Sequence, residues 1–113
     1  MAKADRLERL DLRRAELEQD YHAALIAALR TAATGSWGLF GHKNDRHARE
    51  KWAPVIEELE AMAQEINTMR ETLFLEPFAL HQEFLAARGP VASNAPGEPK
   101  QAAAWLAKLE GTA

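Results

Sequence analysis

Apolar residues return at every seventh position through the middle of the chain: Trp52, Leu59, Ile66 and Leu73, with Val55, Met62 and Met69 falling between them. A row stepping by three and four stays on one side of an α-helix and forms the seam of coiled-coil-like packing, with axes crossing near +20°. The pattern predicts a kinked helix over 45–75. The kink is placed at Pro54, whose nitrogen cannot donate and whose ring would strike the carbonyl of Glu50. A short helical piece over 45–52, capped by Asn44 or Asp45, followed by a restart with Pro54 in its first turn, is the expected form. Such a row is bundle core before it is a cofactor site.

Residues 3–33 contain no Gly or Pro and are rich in Ala, Leu, Arg and Glu, so they predict the first helix. Its first half has one narrow apolar stripe, Leu7, Leu10, Leu17 and Tyr21, with Arg14 in the slot between Leu10 and Leu17. From Ala23 the segment is apolar nearly all round, which predicts cover on several sides. Thr34 and Gly35 end it. After the second helix, Glu76-Pro77 is a boundary and Pro77 opens a helix over 77–88, with Phe78, Leu80, Phe84 and Leu85 to bury. Residues 89–98 read as a loop, and Pro99 starts a last helix over 99–110 with Ala102, Trp105, Leu106 and Leu109 on one face.

The fold class that follows is all-α: a small antiparallel helical bundle in one domain, 1–113, made of a long helical hairpin plus two shorter C-terminal helices. The short helices can cover the apolar half of the first helix but not its N-terminal half as well. That shortfall leaves either a protruding hairpin end or room for a second chain, and a homodimer is the expectation.

Helix grammar does not explain the connection at 34–44. Gly35, Gly38 and Gly41 enclose Trp37, Leu39 and Phe40, and a basic run follows. The simplest reading makes the apolar residues a plug folded back over the bundle end. The functional reading leaves Trp37 or Phe40 exposed to anchor a partner, as aromatic residues often do at interfaces. Trp37, Phe40, His42, Lys43, Arg46, His47 and Arg49 are the residues this reading assigns to a partner or anion surface. The alternative is a small anionic-ligand binder, or an enzyme acting on such ligands, with His42, Arg46 and His47 around the free N–H groups at the helix start. The plainer account of these cations is that they answer the glutamates of the second helix. The stretch is no phosphate loop, lacking the Gly-Lys-Ser/Thr ending and a preceding strand.

Composition narrows the classes further. Of 113 residues, 47% are apolar and 27% charged, which suits a folded domain. A net charge of −3 argues against a protein built to hold nucleic acid. The apolar run Ala23 to Leu29 is too short to cross a bilayer, and with no leader segment recognised a cytoplasmic location is expected. With no cysteine there is neither a disulfide nor a thiolate metal site. His47/Glu50 and Glu18/His22 each share a helix face, but no repeated metal-ligand spacing accompanies them. His81 stands alone, with Glu83 on a different face, and Ser36 and Ser93 lack a nucleophile setting. No metal, cofactor or catalytic residue is assigned. The expectation is a non-catalytic protein-interaction or self-association module.

Overall fold

The computed structural model describes residues 2–35, 38–40, 46–88 and 97–110, with side chains described for all of these except 2, 3 and 46–48. Four helices and no strand are present among them: α1 (Ala2–Ala33), α2 (Arg46–Thr72), α3 (Ala79–Ala87) and α4 (Glu98–Glu110). The protein is all-α, as its periodicity predicts.

α1 and α2 form an antiparallel hairpin. Arg13 meets Glu65 at 3.7 Å near the open end, and Ala28 and Trp52 line a common groove nearer the connection. Three of the four members of the heptad row, Trp52, Leu59 and Ile66, are buried together with Met69 against Leu17, Tyr21, Leu25 and Leu29, whereas Leu73 lies just past the end of α2 and is only half-buried. Each fully buried Leu or Ile of this set contributes roughly 2–3 kcal/mol by leaving water. α2 runs through Pro54 without interruption, so the expected break over 45–54 does not occur. Pro54 lies on the exposed side of the helix, away from the apolar row. The lost bond therefore falls where water can replace it, while packing holds the inner side.

α2 ends at Thr72 rather than at 75, by a turn described below. α3 begins at Ala79, two residues later than expected. Phe78 stays extended, with its N–H donated to Asn67 Oδ1 at 2.8 Å. Gly35, with φ +116°, ends α1 where the sequence places a stop, and its N–H bonds the carbonyl of Ala32.

α4 packs along the second half of α1, and Arg30 bonds Glu110 at 2.8 Å across that contact. Phe78, just before α3, and His81 within it lean on the hairpin through the Tyr21 ring of α1 and Glu60 of α2, while Phe84 meets Phe40 and Trp105. Cover of α1 is nevertheless incomplete, since Ala23 and Ala27 are exposed. Leu80 of α3 comes beside Arg14 and Ala15, while residues 4–9 and 11–13 of α1 stay exposed. The molecule measures 56 × 32 × 21 Å with a radius of gyration of 16.2 Å, against about 13 Å for a compact chain of this length. A bare two-helix end accounts for the excess.

That end is pinned by charge. Arg70 clasps Glu18 with two bonds of 2.8 and 2.9 Å, Arg14 adds a third at 2.9 Å, and Arg70 also donates to the carbonyl of Glu76 at 2.8 Å. Burial raises the Glu18 pKa, but the bonds from Arg70 and Arg14 outweigh it and hold the carboxyl below its ordinary value. Stability from this cluster is thus complete above the ordinary carboxylate pKa and is lost as pH falls through the lowered one. In urea titrations, wild type should be more stable than Glu18→Gln at pH 7, and the gap should narrow at pH 3. A gap independent of pH would show that Glu18 acts by shape alone.

Candidate functional site

Three places gather polar or apolar groups that local helix packing does not demand. The first is the loop end. Leu39 and Phe40 are both buried, and the Phe40 ring meets Phe84 edge-on at 6.0 Å, with Phe84 meeting Trp105 in the same way. Beneath them sits Glu98, a fully buried carboxylate. It accepts the N–H of Gly38 at 2.9 Å and the N–H of Phe40. Arg88 donates Nε to the carbonyl of Leu39 at 2.7 Å. Burial lowers the Arg88 pKa, neighbouring Arg49 lowers it further, and Glu98 opposes both. Two side chains, Glu98 in the first turn of α4 and Arg88 at the end of α3, thus hold the backbone of residues 38–40, and Gly38 takes φ +114° to fit.

Phe40 is therefore core and not an exposed anchor, which corrects its place in the contact surface inferred from sequence. Its ring covers the bundle end because Glu98 and Arg88 satisfy the polar backbone that would otherwise keep this loop in water. Of the other residues assigned to that surface, Arg49 is exposed. Trp37, His42 and Lys43 lie outside the described residues, and for Arg46 and His47 only the α2 backbone is described. The anion site that needs His42, Arg46 and His47 to converge lies outside them too.

The second place joins α1, α2 and α3. The hydroxyl of Tyr21 lies 2.6 Å from His81 Nδ1, and His81 Nε2 lies 2.5 Å from the Glu60 carboxylate. A carboxylate only accepts, so Nε2–H donates to Glu60, and Nδ1 shares the remaining hydrogen bond with the Tyr21 hydroxyl. Tyr21 and His81 are buried, whereas Glu60 reaches solvent. Burial, with the Glu60 charge nearby, raises the Tyr21 pKa; the bond from His81 holds the Glu60 carboxyl down. His81 is not alone, as its own helix suggests, because its partners lie sixty and twenty-one residues away in sequence. With its phenol closed off and fully bonded, the trio fastens three helices together.

No match is found among known protein-family models, curated proteins or solved structures. What the chain does must therefore be read from its own surface.

The third place is the open end of the hairpin. The N–H of Leu75 bonds the carbonyl of Arg70 at 2.8 Å and that of Phe74 the carbonyl of Glu71 at 3.1 Å, the paired bonds of a Schellman turn. The residue between helix and exit must be left-handed in such a turn, a position that favours glycine. Here it is Phe74, with φ 59° and a side chain 95% exposed. Among the described residues it alone combines a side chain with positive φ. Leu7, Leu12 and Leu75 are exposed at the same end. Sequence reasoning passed over Phe74, although a signal was there: no glycine lies between Gly41 and Gly89. A helix that stops before Pro77 in a Schellman turn, with no glycine at hand, puts a side chain in the left-handed slot.

Beside this turn, an open groove of about 610 Å³ is lined by Arg6, Leu7, Arg9, Leu10, Arg13 and Thr72. The Arg13–Glu65 contact sets the register: seven residues on along both strands of the hairpin, Arg6 stands opposite Thr72, where α2 ends.

Proposed function

We propose that this protein is a non-catalytic protein-interaction module whose contact surface is the open end of the hairpin. Phe74 carries the reading. A bulky residue in the left-handed region costs on the order of 1 kcal/mol, and a ring in water gains nothing for the fold in return. Strain and exposure at one residue make sense if a partner covers the ring. The exposed leucines at the same end and the absence of cover by α3 and α4 support the same surface. This moves the surface expected from sequence from the loop end, where Phe40 is packed away, to the opposite end of the hairpin.

Phe74→Gly tests it. Glycine suits the turn, so the variant should gain about 1 kcal/mol in urea unfolding and melt about 4 °C higher. The same variant used as bait should lose the proteins that wild type retains. A variant equally stable and equally competent as bait would remove the basis of the proposal.

A further inference from the structure

Resting on that reading, we infer that the groove lined by Arg6, Leu7, Arg9, Leu10 and Arg13 receives an amphipathic helix of a partner protein, with carboxylates flanking its apolar stripe. The groove offers an apolar floor, Leu7 and Leu10, and a cationic rim. Among the described residues neither Arg6 nor Arg9 has a carboxylate within 4 Å, and Arg13 has only the exposed Glu65 at 3.7 Å. Three guanidiniums spaced over seven residues span about 10 Å along α1. Glutamates at the same spacing on a helix lying alongside would meet all three, because both helices share one rise per residue. A third helix can lie in the groove beside a helix pair at the ordinary interaxial distance of about 8–10 Å.

A second copy of this chain fits less well. Two-fold packing of α1 on α1 opposes one arginine row with the other. The carboxylate-bearing helix of the copy, α2, has already spent its apolar row, Trp52, Leu59 and Ile66, inside its own hairpin.

The experiment uses the full chain and a fluorescein-labelled synthetic helix of about 16 residues, with leucines along one stripe and glutamates beside it, against the same peptide with lysines for glutamates. By anisotropy the glutamate peptide should bind at least about tenfold tighter than the lysine peptide, and weaken about fivefold or more between 50 and 300 mM salt. Arg6→Glu/Arg9→Glu should reverse the preference, and Arg6→Gln/Arg9→Gln, which adds no repulsion, should erase it. Equal affinity for the two peptides, or none for either, overturns the inference. So does a dimer in light scattering that Arg6→Glu/Arg9→Glu dissociates, since the second copy would then own the groove. Phe74→Gly separates this inference from the one it rests on. Retained peptide affinity in that variant upholds the groove and removes only the role of the ring. Lost affinity with no charge preference in wild type does the reverse.

Discussion

Glu98→Ala is expected to cost about 3–5 kcal/mol of folding stability, a large part of what a chain of this size possesses. The carboxylate is fully buried and serves two backbone N–H groups, those of Gly38 and Phe40. Its removal strands both donors and takes away the negative charge that opposes the lowering of the Arg88 pKa. Water cannot reach the donors unless the loop lifts, and lifting it exposes Leu39 and Phe40. Glu98→Gln keeps the shape and one acceptor but turns an amide NH₂ towards the other N–H, so about 2 kcal/mol is expected. Urea unfolding at pH 7 measures both. A loss under about 1 kcal/mol for the alanine variant would mean that residues 38–40 hold without this carboxylate.

His81→Ala should be nearly as damaging, about 2–4 kcal/mol. It empties a buried site, removes the edge-on contact with the Tyr21 ring at 5.5 Å, and leaves the Tyr21 hydroxyl sealed without its hydrogen-bond partner. The Glu60 carboxylate, by contrast, can turn to water, so Glu60→Gln should be mild. Tyr21→Phe isolates the hydroxyl. Combined with His81→Ala in a double-mutant cycle it should show a coupling of about 1 kcal/mol. Additive losses would show that the two side chains are held by packing and that their hydrogen bond contributes nothing.

Both buried polar groups escaped the sequence for one reason. Glu98 closes the stretch 89–98 that reads as a loop, where a carboxylate is expected to face water. Nothing local says that a loop sixty residues earlier will press two N–H groups onto it. His81 likewise has no partner within its own helix. The apolar pattern fared better, because a side chain's place on a helix follows from spacing alone: Leu59, Ile66 and Ala102 are all fully buried as their periodicity requires. Pro54 misled for an instructive reason. A proline's cost is local, but Pro54 lies on the outer side of a helix that packing holds from within.

Periodicity and breakers in the chain were enough to determine the four helices of the described residues, their all-α class, and a long hairpin with two shorter helices after it. These are properties of neighbours in sequence. Tertiary structure alone decided that Phe40 would be sealed in, that Glu98 and His81 would carry buried hydrogen bonds, and that Phe74 would stand in water on a strained backbone. Those outcomes depend on which distant groups meet, and a single strand of residues does not encode that meeting until its elements have packed.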